Sequence, residues 1–493
     1  MHDIEIRSEE RHSESENIPL VVDLDGTLLR TDLLLEATLR LLKQKPWLAL
    51  LLPIWLLKGR AHLKSRIFHL VEIDVSLLPM HEELLTWLRA EKSRGRRLIL
   101  ATGSDYQKAR SVVDPLDLFD LVLGSNGERN LTAGKKLRLL VETCGEQFDY
   151  IGNSGSDLEI WRGCRHAVLV NASTRVERSA RRSAHVIQVF PASFTGIKDV
   201  FRALRCHHWL KNLLVFVPAI TSHTIFNETV AAKLSLAFLS FNFCASAVYI
   251  VNDLLDLEED RRHEIKKYRP FASGQISIGS GLLLTLACLL VSAGIAGLLP
   301  HAFFEVLAIY FCLTCLYSFF LKRLLLVDVL ALALLYTLRI FAGSQATGIV
   351  LSLWLLSFAF FLFLSLAFLK RAADLIHHRA HDRDTVPGRG YTADDLEAIS
   401  IAGICSGFLS SLILTLYTNS DTVQLLYRRP VLLWGLQPIL LYYVTRLWII
   451  CRRGELIDDP IEHTAKEPST YGAALLAVLV LLAATFDFSF FVP

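Results

Sequence analysis

From Cys206 to the C-terminal end the chain is a succession of apolar runs of about 18 to 22 residues. A helix of that length crosses the roughly 30 Å hydrocarbon core of a bilayer, and few other folds tolerate such runs. Apolar windows centre near Val215, Phe241, Leu289, Ile309, Leu334, Phe361, Ser411, Leu440 and Leu479, which predicts an all-α transmembrane bundle of about nine helices. The segments after the second, fourth, sixth and eighth spans carry Arg262, Lys266, Lys267, Lys322, Arg323, Lys370, Arg371, Arg379, Arg452 and Arg453. Those after the first, third and fifth carry no Lys or Arg, and only the seventh, with Arg428 and Arg429, breaks the alternation. The positive-inside bias therefore predicts a multi-pass protein of the inner (cell) membrane, with its N-terminal domain and charged loops cytoplasmic.

The part before Phe201 is different. Its first residues, "MHDIEIRSEERHSESENIP", are polar and acidic with no apolar core of a signal peptide, so no cleaved leader is expected. The expected division is a disordered tail over 1–16, an α/β domain over 17–196 and a membrane domain over 197–493. A net charge of +2 on 493 residues gives no global attraction for nucleic acid. Cys312 and Cys315 form a C-x-x-C inside an apolar run, where helix packing explains them better than redox or zinc chemistry. His207, His208, His377, His378 and His381 read as interfacial, because neither Cys nor acid completes a metal-ligand spacing.

The membrane runs are interrupted by "YIVNDLLDLEEDRRHEIKKYRP", Tyr249 to Pro270. Asn252, Asp256 and Asp260 are spaced i, i+4, i+8, and Asp253 stands three before Asp256, so on a helix they share one face. Carboxylates that close repel unless a cation sits among them, and Mg²⁺ with a substrate phosphate is their natural use. Arg261, Arg262, Lys266, Lys267 and Arg269 follow, suited to phosphate oxygens. The stretch resembles the N-D-x-x-D-x-x-x-D signature of the UbiA superfamily of intramembrane prenyltransferases, from about Leu204 onward. That resemblance implies a UbiA-like helical bundle in which Asp253, Asp256 and Asp260 hold Mg²⁺ and the basic residues hold a diphosphate.

The usual second aspartate-rich motif is absent. "LYSFFLKRLLLVDVLALALLYTLRIFAG" offers Tyr317, Lys322, Asp328 and Arg339, "RCHHWLKNLLVFVP" offers Lys211 and Asn212, and "FLKRAADL" offers Lys370, Arg371 and Asp374. This combination resembles the decaprenyl-phosphate phosphoribosyltransferase branch. The implied substrates are a polyprenyl phosphate lipid in the bilayer and phosphoribosyl diphosphate, and joining two anions demands the local positive charge these residues carry. Asn252, Lys211, Arg261, Lys267, Arg269, Tyr317, Lys322, Asp328, Arg339, Lys370 and Arg371 are the expected substrate-binding residues. Arg339 lies mid-span, where a charge is costly and either functional or paired. An ordinary prenyltransferase with a prenyl diphosphate donor, and a non-catalytic lipid-binding or transport protein with a regulatory domain, are the alternatives. A homo-oligomer is compatible with the sequence.

In the N-terminal part, candidate strands at Leu20–Leu24, Arg97–Ala101, Leu121–Gly124, Tyr150–Gly152, Ala167–Val170 and Val186–Val189 alternate with helical stretches, predicting a parallel α/β (Rossmannoid) sheet. The first strand runs into "DLDGT", two acids at the carboxyl end of a strand. "VVDLDGTLLRTD" resembles the first motif of the haloacid dehalogenase (HAD) superfamily, in its phosphatase branch, and "LILATGS", "GKKL" and "YIGNSGSD" follow in the expected order. By that resemblance Asp23 is the nucleophile and Asp25 the general acid/base. Mg²⁺ is held by Asp23, Asp157 and the Asp25 carbonyl, while Thr102, Asn153 and a lysine hold phosphate. Of the adjacent lysines Lys135 is preferred over Lys136. The usual last motif begins Gly-Asp, whereas here it is Gly152-Asn153, which removes a carboxylate and keeps an oxygen donor.

A helical cap is expected over about 30–94. Within it "PWLALLLPIWLLKG" is too short to span, and reads either as a buried cap helix or as one lying on the membrane surface. The two activities together suggest that the fused domain dephosphorylates the product of the membrane enzyme.

Overall fold

The computed structural model describes residues 18–125, 131, 133–191, 196–379, 389–456 and 467–485. The expected 1–16 tail and His381 lie outside them. The chain forms two compact units: Met1–Leu204 with Tyr249–Thr285, and Arg205–Val248 with Leu286–Pro493. The charged stretch thus belongs to the first unit, together with the adjoining ends of the helices on either side of it.

The first unit is built on a six-stranded sheet. Its strands are β1 (Leu20–Val22), β2 (Leu98–Asp105), β3 (Leu121–Ser125), β4 (Asp149–Gly152), β5 (His166–Val170) and β6 (Val186–Phe190). Their order is β3-β2-β1-β4-β5-β6 with every pairing parallel. Val21 pairs with Ile99 on one side and Tyr150 on the other. A central parallel strand is covered on both faces, which is why Leu20, Val21 and Val22 are all apolar and fully buried. The chain leaves β1 to one side for β2 and β3 and returns on the other for β4, so the order reverses between β1 and β4. In open α/β sheets the crevice at the carboxyl ends of the strands flanking such a reversal is where ligands bind.

Between β1 and β2 comes the helical insert: α1 (Leu33–Gln44), short turns over Pro46–Leu57, α2 (Arg60–Leu70) and α3 (Glu82–Ser93). The helix α1 starts at Asp32, whose carboxylate accepts from the Leu35 amide at 2.9 Å, satisfying one of the open N-terminal donors. Further on are α4 (Tyr106–Val113), α5 (Ala133–Cys144), α6 (Leu158–Gly163) and α7 (Thr174–Ser183).

The second unit is helical. Eight helices of the chain are long and apolar enough to cross a membrane among the described residues. They are α8 (Glu228–Leu255), α9 (Ile278–Ala296), α10 (His301–Phe319), α11 (Val327–Thr347), α12 (Leu353–Arg379), α13 (Leu396–Thr418, within the span Ala393–Thr418), α14 (Leu436–Arg452, within the span Pro430–Arg452) and α15 (Pro468–Thr485). Eight of the nine sequence windows fall on these helices. The window centred on Val215 is corrected: it is a run of 3-10 turns, Cys206–Phe216, followed by the short helix Val217–Thr221. The physical reason is a close backbone approach. A Cβ at Gly343 of α11 would collide with the Val215 carbonyl, so the irregular segment lies directly on that helix. Non-helical backbone is tolerated in a membrane protein where protein covers it.

Candidate functional site

The carboxyl end of β1 delivers Asp23 and Asp25. Asp23 is 9% exposed, and its Oδ1 accepts a hydrogen bond from Lys136 Nζ at 2.6 Å. Lys136 also donates to the Tyr150 hydroxyl at 2.6 Å, which in turn donates to Asp157 Oδ1 at 2.9 Å. Asp157 Oδ2 accepts from the amides of Asn153 and Ser154 at 3.0 and 2.9 Å. A chain of four buried groups therefore links the end of β1 to the loop after β4. Burial drives the Asp23 carboxyl up to about 7, opposed by Lys136 and reinforced by Asp157 and Asp25. Burial likewise pushes the Tyr150 phenol well above its ordinary value, so it stays a donor.

Here the sequence preference is corrected. Lys135 is exposed, whereas Lys136 is buried on the inner face of α5 one turn before Leu140. Adjacent residues of a helix point about 100° apart, and the i, i+4 pairing of Lys136 with Leu140 was the signal that selects it.

Asp25 is held by three donors. The Leu33 amide reaches Oδ1 at 2.9 Å, while Thr102 and Ser104 hydroxyls reach Oδ2 at 3.3 and 2.5 Å. Thr102 thus faces Asp25, and Ser104 is a partner that the sequence reading missed. Asn153 lies over Gly26: a Cβ there would strike its amide nitrogen, and the φ of +75° favours glycine independently. From the insert, Lys64 of α2 donates to the Gly103 carbonyl at 2.7 Å, which brings one more cation to this end of the sheet.

The same unit contains the charged stretch. After α8 ends at Leu255 the helical path breaks at Asp256 and resumes over Leu257–Arg262. Hydrogen bonds from Asp256 N to Asn252 O (2.9 Å) and from Asp260 N to Asp256 O (2.8 Å) keep the i, i+4 face intact. Arg269 bridges Asp253 Oδ1 at 3.2 Å and Asp260 Oδ2 at 2.7 Å. Asp256 is met by Lys43 of α1 at 2.7 Å, and the same lysine reaches Glu259 at 2.5 Å. Arg40 of α1 pairs with Glu258. Arg261, expected on phosphate, instead holds Glu36 of α1 through both nitrogens at 2.6 and 3.2 Å and donates to the Ala272 carbonyl at 2.9 Å. Glu36 also accepts from Thr31 at 2.7 Å, and both acid and arginine are buried. Lys267 is exposed over the Tyr268 ring, and Asn252 is half-buried. Lys43, Arg40 and Glu36 lie more than 200 positions from their partners, so no local pattern pointed to them.

In the second unit, Arg339 is 5% exposed and engaged with Asn212 (2.7 Å), the Leu335 carbonyl (2.6 Å) and the Tyr310 hydroxyl (2.9 Å). Its guanidinium also lies over the Tyr310 and Tyr336 rings, and Asn212 donates onward to Asn242 at 2.6 Å. Arg339 is thus a charge stabilised by dipoles and ring faces that ties the Cys206–Phe216 turns to α11. Asp328 is fully buried and binds Arg371 Nε at 2.7 Å, while Tyr391 donates to its other oxygen. Arg371 also reaches Asp374 at 2.6 Å and Tyr317 at 3.3 Å, and Arg389 meets the same Tyr317 at 3.2 Å. The expected Tyr317, Asp328, Arg371 and Asp374 are therefore one cluster, to which Arg389 and Tyr391 are added. Lys211, Lys322 and Lys370 are half-buried. Among the described residues, no three His, Cys, Asp or Glu side chains converge as a ready metal cage.

Comparison with known proteins narrows the identity. Residues 214–446 match the UbiA prenyltransferase family. An uncharacterized protein, y4nM, of Sinorhizobium fredii is 35% identical over 469 residues, covering 94% of this chain and 91% of that one. Decaprenyl-phosphate phosphoribosyltransferase of Corynebacterium glutamicum is 35% identical over 183 residues, 36% of this chain and 55% of the relative. A solved UbiA homolog from Archaeoglobus fulgidus, bound to GPP and Mg²⁺, aligns at a TM-score of 0.44 and 18% identity, over 57% of this chain and 96% of that one. With eight long apolar helices among the described residues, the protein is an integral membrane protein whose residues 214–446 match the UbiA prenyltransferase family.

Proposed function

We propose that the protein is a Mg²⁺-dependent membrane transferase that moves 5-phosphoribose from phosphoribosyl diphosphate to a polyprenyl phosphate and releases diphosphate. The observation that carries this reading is the face formed by Asp253, Asp256 and Asp260. Its carboxylates are hard oxygen donors paired in this structure with the cationic nitrogens of Arg269 and Lys43, contacts that Mg²⁺ would replace, turning both cations toward a diphosphate. The relative named decaprenyl-phosphate phosphoribosyltransferase supports the choice of donor.

Mg²⁺ held by Asp253, Asp256 and Asp260 would supply positive charge to the leaving diphosphate. Arg269 and Lys43 orient its oxygens. The bond from ribose C1 to the diphosphate oxygen breaks, and an oxygen of the lipid phosphate bonds to C1. That phosphate is ionised at neutral pH, so no general base is needed. Lys211, Lys322 and Lys370 are assigned to the anionic groups of lipid and sugar, and Tyr317 and Arg371 to positioning through Asp328.

The N-terminal unit is read as a HAD-type phosphatase acting on the 5-phosphate of that product. Asp23 attacks phosphorus to form an aspartyl-phosphate while the ester oxygen departs with a proton from Asp25. Asp25 then takes a proton from the water that attacks this phosphorus, breaking the Asp23–phosphorus bond and releasing inorganic phosphate. Lys136 fixes and part-neutralises Asp23, and Tyr150 and Asn153 shape the site around it. Two mutually repelling buried carboxylates, Asp23 and Asp157, suit a divalent cation, which with the Asp25 carbonyl would screen the incoming phosphoryl charge. On this reading both active parts face the cytoplasm.

The test is to supply membranes with ribose-labelled phosphoribosyl diphosphate or labelled prenyl diphosphate and extract the lipid. Label from the ribose donor supports the proposal. Label from the prenyl donor moves the protein to the aromatic-type prenyltransferases, and label from neither favours a lipid-binding or transport role. Release of phosphate from the ribosylated lipid, absent in Asp23→Asn, tests the second activity.

A further inference from the structure

The segment Pro46–Leu57 presents two opposite apolar faces. Leu48, Leu52 and Trp55 pack against the core of the first unit. Trp47, Leu50, Leu51, Ile54 and Leu57, spaced as one helical stripe, face outward at exposures from 38% to 89%. No residue of the segment is buried, which rules out the buried-helix alternative. A soluble domain rarely leaves that many large apolar side chains together without a partner.

The charge around this stripe indicates which partner. From Ala37 to Val71 the sequence contains seven Lys or Arg (Arg40, Lys43, Lys45, Lys58, Arg60, Lys64, Arg66) and neither Asp nor Glu. Lys58, Arg60 and Arg66 are exposed directly after the apolar stripe. Apolar side chains with a tryptophan, bordered by cations and lacking acids, match a bilayer surface rich in anionic headgroups. At 12 residues the segment is too short to cross the hydrocarbon core. The chain is an integral membrane protein, so such a surface is always at hand.

We propose that Pro46–Leu57 is an in-plane membrane anchor of the N-terminal unit. Trp47, Leu50, Leu51, Ile54 and Leu57 sit at the headgroup–acyl boundary of an anionic leaflet, and Lys45, Lys58, Arg60 and Arg66 lie on its phosphates. The anchor holds the insert at the lipid surface, so that the groups at the carboxyl end of the sheet meet a phosphate ester carried by a lipid. The immersion itself is independent of the substrate assignment and is tested separately from it.

The experiment uses the full chain in vesicles of phosphatidylcholine and phosphatidylglycerol, with native cysteines replaced and a spin label at Leu50→Cys or, as control, Arg182→Cys. Collision with oxygen should exceed collision with a water-soluble nickel chelate at position 50, and the reverse should hold at 182. A label at 50 open to the nickel reagent overturns the proposal. So does one shielded from both reagents, the result expected if a second copy or the chain's own helices cover the stripe. A second measurement leaves the cysteines intact: brominated-lipid quenching of tryptophan fluorescence should weaken in Trp47→Phe. An unchanged quenched fraction also overturns it.

Discussion

Replacing Lys136 by Met removes the only cation that the structure places on Asp23 among the described residues, and the consequence can be worked from the geometry. The pair is 2.6 Å apart, and both side chains are nearly buried. At an effective dielectric near 20 the attraction is about 6 kcal/mol, and truncating one member of a buried pair costs about 3–5 kcal/mol. Asp23 answers by keeping its proton, since burial, Asp157 and Asp25 already hold its carboxyl near 7. That energy corresponds to about two to four pH units. Going from half-ionised to about 1% ionised at neutral pH lowers nucleophile-dependent phosphate release by roughly 50-fold or more, with the pH–rate profile displaced to the alkaline side. The assay is phosphatase turnover of the full protein against pH at fixed Mg²⁺, with Lys135→Met as control. Lys136→Met keeping its rate and pH profile while Lys135→Met loses activity would refute the reasoning.

Three further outcomes are expected. Glu36→Ala leaves Arg261 buried without its carboxylate and should destabilise the first unit by about 3–5 kcal/mol in thermal unfolding; a loss no larger than that of exposed Glu83→Ala contradicts this. Mg²⁺ and protons compete for Asp23, so metal affinity of the N-terminal site, read by titration calorimetry, should fall about tenfold per pH unit below 7 and level off above it. Without metal the folded unit holds a proton between the ordinary carboxylate range and about 7 that the unfolded chain has released, so stability should decrease as pH rises through that window; a pH-independent melt rejects the assignment.

Much of this architecture was legible because burial on both faces leaves its mark on a sequence. The six strands announced themselves as short apolar runs, and the two acids after β1 marked the edge where the sheet order reverses. Long-range partners left no such mark. Lys43 and Glu36 belong to an unremarkable helix, and only folding sets them against Asp256 and Arg261. The Val215 window misled because hydropathy reports lipid compatibility and not backbone path, whereas Gly343 decides that the turns lie on α11. Arg339 was rightly singled out as a costly charge, and its cost is met by Asn212, Tyr310 and two ring faces. The pairing of Asp328 with Arg371 required a fold, since 43 residues separate them.

The most direct measurement is made on purified protein reconstituted with a polyprenyl phosphate and phosphoribosyl diphosphate labelled in the ribose. Label should pass to the lipid with Mg²⁺, stop on chelation, and fall at least a hundredfold in Asp256→Asn, about 3 kcal/mol of lost transition-state stabilisation. Ribose label that stays in water, with prenyl diphosphate consumed instead, would contradict the phosphoribosyl assignment outright.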